Sequence, residues 1–550
     1  MKSKNYILSV LATGLMAGSF VSCSDFLDTK PSTSVDDTDV FQTTSGAQSA
    51  LNGCYYQMRA YGSGGANRGD DYGIPSIQMI SDMCGEDVMN NGSGWYLYNY
   101  NYWGETQANI FRTDQLWTFH YRLVNNLNSV ITYVDDSEGE DIDKQYIKGQ
   151  ALALRGWAYF DLARLYQQTY AIAKDMPGVP IYTEPTVDGT QGKPRGTLEE
   201  TYQQILSDLT TAESMLDGFV RSSSYPNVFD QTVVQGVLSQ VYQVMNNWTK
   251  SEEYAKKVLA IYPLTTAEEY VNGFNDHLTK SWIWGIKQTE EQNMGDYSPF
   301  AMWYNGDRKC WTFAGFILSD QFVDLFDEDD IRFKQFERWA AGSGETKKEF
   351  WISHKFRDNE DCRGSMVVMR SDEMLLNAAE ACAHQGKDTE AKALLWQLQD
   401  LRNAKRTEAN GDELIEAILK ERRKELYGEG FSLFDMLRTQ KGLERTGNHM
   451  DWGGLITLPA NSWRFIFQLP GAEMKNNKSL VDEIWPAGDQ NPFDEFMNRK
   501  IDRNGLLRGD IVNQNGNITS IAVKKIRKSG TIRRQCFEIS KPSYCIILFS

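Results

Sequence analysis

Positive charge is in short supply in this chain: 57 Lys and Arg face 74 Asp and Glu over 550 residues, a formal net charge of -17. Phosphate backbones and anionic lipid surfaces are bound by clustered Lys and Arg, so neither nucleic acid nor an acidic membrane surface is an expected partner. Histidine is scarce too. The five, His120, His277, His354, His384 and His449, are isolated, and none stands in an HExxH, an HxH or a nucleophile elbow. The eight cysteines (Cys23, Cys54, Cys84, Cys310, Cys362, Cys382, Cys536, Cys545) form no CxxC, which leaves neither a zinc site nor a redox motif, and no disulfide is assigned. Past the N-terminus no long apolar run occurs, and the mean hydropathy of -0.50 excludes a polytopic membrane protein.

Other catalytic and cofactor signatures fail on inspection. Gly62 to Gly69 lacks the Rossmann spacing and a Walker lysine. An EF-hand read from Asp327 puts Ile331 and Arg332 where an oxygen ligand and Gly are needed. Carboxylate pairs such as those in Asp324 to Asp330 carry no signal in a chain with 74 acids. The expectation is a non-enzyme with no metal and no cofactor.

What is present begins at the N-terminus. Lys2 and Lys4 precede the apolar stretch Tyr6 to Val21, an export signal too short for a transmembrane anchor. Phe20-Val21-Ser22-Cys23 resembles the lipobox of bacterial lipoproteins, which implies removal of residues 1–22 and lipidation of Cys23; Phe20 departs from the usual Leu. Residues 23–40, rich in Ser, Thr and Asp, read as a flexible tether.

The body has a 3.6-residue apolar period in segment after segment. Helices are predicted at Thr44 to Tyr61, Asp114 to Val134, Ile147 to Tyr166, Leu198 to Leu216, Gln231 to Asn246, Ser251 to Ile261, Asp372 to His384, Thr389 to Asn403 and Asp412 to Tyr427. Ser371 and Asp388 are good N-caps and Gly386 a good helix stop, so Asp372 to Asn403 reads as a tight helical hairpin of tetratricopeptide-like length. Two earlier pairs, Ile147 to Tyr166 with Leu198 to Leu216 and Gln231 to Asn246 with Ser251 to Ile261, have similar proportions. The predicted fold class is therefore mainly all-α, a tetratricopeptide-like repeat scaffold with minor β. Long inserted loops lie at Gly62 to Ile74, Cys84 to Gly104, Pro177 to Gly196 and Ser281 to Phe316. Residues 497–550 differ in character, with 11 Lys and Arg against 3 Asp and Glu, and show no strong helix or strand pattern.

Particular blocks resemble a known family. Arg155-Gly156-Trp157-Ala158-Tyr159-Phe160-Asp161-Leu162, with Gly178-Val179-Pro180-Ile181 beyond, is similar to blocks of the SusD/RagB family of nutrient-binding lipoproteins. So are Phe322 to Phe326, Asp330-Ile331-Arg332, Met369 to Ala381 and Glu421 to Phe431 ending Phe434 to Arg438, with Leu469-Pro470 and Asn491-Pro492 as closing signatures. The resemblance runs from Cys23 to about Phe493 and implies a SusD-like domain at 41–496, with an N-terminal part at 41–270 and a C-terminal part at 271–496. It implies an outer-membrane protein facing the cell exterior, which binds a glycan or, in some members, a peptide for a SusC-like TonB-dependent transporter. A surface glycoside hydrolase is the alternative from a different class. Within the blocks, Ile415, Leu419, Arg422 and Leu426 share one helix face, so Arg422 needs a carboxylate, with Glu380 and Glu425 as candidates.

Sugars present apolar CH faces and many hydroxyls, which suits aromatic platforms flanked by polar groups. Asn90 to Trp103 is the densest aromatic segment, and Trp95, Tyr98 and Trp103 are its candidates; the same alternation also fits an edge strand packing its rings inward. Trp303, Tyr304 and Asn305, with Trp311 beyond, form a second candidate, and Arg68 and Asp71 could add hydrogen bonds at a rim. Trp282 and Trp284 read as a short strand with one ring in the core.

Overall fold

The computed structural model describes residues 37–66, 68–91, 94–102, 109–290, 293–303, 315–341, 347–358, 362–452, 456–480 and two strands at 506–512 and 518–524. The signal segment, Cys23 and most of the tether lie outside the described residues. Met1–Val481 and Asp482–Ser550 form two compact units.

The first unit is a stack of helices: α1 (Thr44–Gln57), α2 (Ile74–Met83), α3 (Phe111–Tyr133), α4 (Asp141–Tyr166), α5 (Leu198–Met215), α6 (Gln231–Val244), α7 (Trp248–Leu259), α8 (Ser371–His384), α9 (Asp388–Leu401), α10 (Asp412–Leu426) and α11 (Ser432–Arg438). All nine predicted helices form, most with ends within four residues, while α4 begins six residues before the predicted Ile147. Their starts follow from local chemistry. Thr197 and Glu200 make a reciprocal capping box at α5, and the side chains of Asp230 and Asn247 accept from backbone N–H groups at the starts of α6 and α7.

The three pairings read from sequence are observed, α4 against α5, α6 against α7 and α8 against α9, and α7 packs on α8 to join the last two into a continuous stack. Leu375, Leu376 and Ala379 of α8 meet Leu395 and Leu398 of α9 and Leu414 and Ile418 of α10 in one dry cluster. The turn between α8 and α9 is possible because Gly386 takes φ +72. The caps differ from expectation by one position: Ser371 and Asp388 are the first helical residues, and their side chains bond Pro263 O and the Gly411 N–H.

Short strands fill the spaces between helices. β1 (Val88–Asn90), β3 (Phe316–Leu318), β4 (Phe336–Ala341) and β5 (Lys348–Ser353) form an antiparallel sheet in the order β1-β3-β5-β4, with Val88 opposite Leu318 and Phe336 opposite Ser353. β2 (Trp282–Ile286) pairs with β6 (Met366–Arg370), and both of its tryptophans are buried, Trp284 edge-on to Trp157 and Phe229. β7 (Leu443–Glu444) and β8 (Thr457–Leu458) make a minimal pair. The second unit contains an antiparallel hairpin, β9 (Leu506–Val512) with β10 (Ile518–Lys524), where sequence periodicity shows no strand. Cys362 is disulfide-bonded, a pairing the cysteine spacing left unassigned; its partner lies outside the described residues.

Candidate functional site

The loop before α2 is built on two buried aspartates. Asp71 accepts hydrogen bonds from Gly64 N and Ala66 N, both at 2.7 Å, folding the loop over its own carboxylate. Asp70 is ion-paired with buried Arg112 of α3, and Gln115 Nε2 donates to the Asp70 carbonyl at 2.7 Å. Asp71 was expected at a binding rim, but its carboxylate is buried under the loop it shapes. What the two acids hold in place is Arg68. Its guanidinium lies 3.6 Å from the Phe111 ring centroid and 4.8 Å from that of Trp95, with Asp70 at 3.5 Å.

Trp95 is half-buried and its ring lies within 23° of parallel to Tyr297, centroids 6.1 Å apart. Tyr297 continues to Tyr72, and Tyr72 to Tyr61, a residue 52% exposed. The result is a run of aromatic rings with one cation at its edge. Gly69 is integral to it. A Cβ there would fall 2.2 Å from the Tyr297 ring and 2.5 Å from that of Trp95, so any side chain at this position pushes the two rings away. Tyr98, 36% exposed, stands edge-on to Phe111 at 5.6 Å, the ring that Arg68 covers.

The segment after Trp95 is a single helical turn, Leu97–Tyr100, not an edge strand. Tyr96 and Tyr100, four apart, point into the core, as does Tyr102, and Tyr100 Oη lies 2.6 Å from His449 Nδ1. Trp103, Tyr304, Asn305 and Trp311 lie outside the described residues. Trp303 is a correction: at 3% exposure it is packed among Phe316, Phe356 and Tyr427 and presents no face to a solute. Tyr297, which sequence reasoning did not single out, takes its place. Nothing in its local sequence separates it from the other aromatics of the Ser281 to Phe316 loop.

The motif blocks are scaffold. Arg155 of α4 forms a two-pronged pair with Asp208 of α5, at 2.8 and 2.7 Å. In α10, Glu425 accepts from Arg332, Arg370 and Arg402 at 2.8 to 2.9 Å, and burial is outweighed by these three cations, which hold its carboxyl far below the usual range. Around it Asp330, Asp372, Glu421, Glu429, Lys355 and Lys424 complete a buried network of five carboxylates and five cations. Arg422 does need a carboxylate, but its partner is Asp435 of α11 at 2.7 Å, with Asn377 at 2.8 Å; Glu380 belongs to Arg438. Among the described residues one acid and thiol group, Glu252, Cys382 and Glu390, has donor atoms close enough for a metal. Lys256 and Lys387 already bond its carboxylates at 2.6 to 2.7 Å, so the group is an ion-pair cluster.

Fold and site together define a helical-repeat protein that carries an aromatic platform on its inserted loops. The sequence profile of a family described as "Starch-binding associating with outer membrane" matches residues 25–243, and that of the SusD family matches residues 344–492. A solved SusD-like carbohydrate binding protein from Bacteroides vulgatus is 30% identical, with a TM-score of 0.74 over 82% of this chain and 100% of that one. A laminarin binding SusD-like protein, 19% identical, shares the fold with a TM-score of 0.63 over 80% of this chain and 98% of its own. A SusD-like protein of Formosa agariphila is 25% identical over 504 residues, 81% of this chain and 93% of its own length. The chain belongs to the SusD/RagB family.

Proposed function

We propose that this protein is an outer-membrane lipoprotein, anchored through Cys23 and facing the cell exterior, that binds oligo- or polysaccharide without cleaving it and passes it to a SusC-like TonB-dependent transporter. The observation that carries the glycan reading is the pairing of Trp95 and Tyr297 with Arg68 at their edge. Ring faces match the apolar CH faces of pyranoses, and a guanidinium supplies donors to hydroxyls. That arrangement is held by buried ion pairs and backbone hydrogen bonds, so little ordering cost falls on binding. The relatives named above, one carbohydrate-binding and one laminarin-binding, support the same class of ligand. Anchoring rests on the Phe20 to Cys23 sequence; no described helix is long and apolar enough to cross a membrane.

Native affinity electrophoresis of the purified mature protein through gels containing plant, fungal and host glycans tests this. Retardation by one glycan that is lost in Trp95→Ala, with the glycan recovered uncleaved, is the expected result. A folded sample that no glycan retards, or that shortens the bound glycan, contradicts it, and retardation of peptides instead would favour a peptide receptor.

A further inference from the structure

A second cleft takes Ser63 of the same loop into its lining. It measures about 650 Å³ and is formed by α3 against the Pro177 to Gly196 loop, whose length the platform does not explain. We propose that this cleft is a second carbohydrate site, which takes a short neutral stretch of the glycan chain that the Trp95 platform holds; the inference rests on the glycan reading above.

The sequence of α3 builds one wall. Trp117, Tyr121 and Asn125 are spaced four apart, as are Thr118, Arg122 and Asn126, so an aromatic stripe and a polar stripe run side by side along the cleft. Trp117 and Tyr121 pack with centroids 4.6 Å apart, and Tyr182 from the facing loop stands edge-on to Tyr121 at 5.9 Å. The facing wall is rigid. The Tyr182 N–H donates to Tyr159 Oη at 2.7 Å, its carbonyl accepts from Asn128 at 3.0 Å, and its hydroxyl accepts from Lys193 N at 2.9 Å. Tyr121 Oη donates to Pro180 O at 2.8 Å, tying the two walls together.

The polar groups are aimed and partly unused. Asn125 Oδ1 accepts from Thr186 N at 2.8 Å and Thr186 Oγ1 at 2.7 Å, which fixes the amide while its Nδ2 makes no hydrogen bond among the described residues. Asn126 Nδ2 donates to Gln57 Oε1 at 3.0 Å, leaving its carbonyl oxygen to accept. Arg122, on the exposed edge, forms no ion pair among the described residues, and Glu473 across the cleft offsets its charge. Rings, donors and an acceptor with no net charge suit neutral pyranoses, and the volume falls in the roughly 300–1,000 Å³ range of small-molecule sites. Ser63 lines this cleft and Arg68, five residues on, edges the platform, so the loop clamped by Asp71 carries one element of each site. One polymer bridging both would gain avidity that a short oligosaccharide lacks.

The test uses the mature protein in gels of laminarin, amylopectin, xyloglucan, galactomannan and arabinan, followed by calorimetry with the trisaccharide of the retarding polymer. Wild type is expected to take two trisaccharides per chain and Trp95→Ala one. Tyr182→Ala and Arg122→Ala are each expected to weaken polymer binding by about 5- to 10-fold. Arg122 is exposed and unpaired among the described residues, so its variant keeps the fold if Tyr182→Ala does not. Retention of wild-type polymer affinity in both variants, with one trisaccharide per chain, overturns the second site alone. No retardation of wild type by any polymer overturns both sites, and loss in Tyr182→Ala with none in Trp95→Ala upholds the cleft and removes the platform.

Discussion

Glu425 is the residue on which the C-terminal scaffold turns, since one carboxylate meets three buried guanidiniums. Replacing it by Gln keeps the shape and leaves Arg332, Arg370 and Arg402 undercompensated in a dry site. A loss of about 3–5 kcal/mol in unfolding free energy is expected, measured by chemical denaturation; a variant as stable as wild type would show that the network is dispensable. Asp82 behaves in the opposite sense. Burial pushes its carboxyl up to about 7, despite hydrogen bonds from Gly430 N at 2.8 Å and Ser432 Oγ at 2.9 Å. A carboxyl whose folded-state value is raised binds its proton more tightly when folded, so its contribution to stability is full below pH 4 and is lost as pH rises through 7. Relative to Asp82→Asn, wild type should lose on the order of 3 kcal/mol between pH 5 and pH 8. Parallel pH profiles of the two proteins would contradict this. At this scale the sequence showed that Arg422 needed an acid but not which one, because Asp435 reaches it from a separate helix, α11.

Helices were legible where apolar residues recur at helical spacing between clear start and stop residues, as in α8, which is almost wholly buried yet is closed by Gly386. α2 is a short helix in which buried Ser76, Ser81 and Asp82 interrupt the apolar spacing, so no single stripe marks it. The stripe on α10, Ile415, Leu419, Arg422 and Leu426, holds in its second half and shifts by one position in its first. Leu414 and Ile418 are the fully buried apolar residues of its first turns, with Ile415 packed against their cluster at its margin, while Arg422 and Leu426 of the expected stripe are buried as read. Aromatic loops were the least readable. Trp95 follows a polar, glycine-rich run and Trp303 precedes one, and the packing of Phe356 and Tyr427 makes Trp303 core while Trp95 stays half-open. Gly69 offers a test at the scale of the loop. Gly69→Ala should separate the Trp95 and Tyr297 rings and weaken glycan binding about tenfold, while the thermal midpoint moves by less than about 2 °C. Unchanged affinity would show that the ring pair does not form the binding surface.

Across the whole molecule, architecture was the most legible feature, because repeated helix pairs, caps and a consistent order of blocks all point to one scaffold. The candidate binding surface was less so, since it is assembled from loops far apart in sequence: Arg68, Trp95 and Tyr297 come together only in the fold. The most direct measurement is a calorimetric titration of the retarding glycan into wild type and into the Trp95→Ala, Tyr297→Ala double variant. The account predicts saturable binding to wild type and none to the double variant, with the fold unchanged by circular dichroism. Equal binding to both would contradict it.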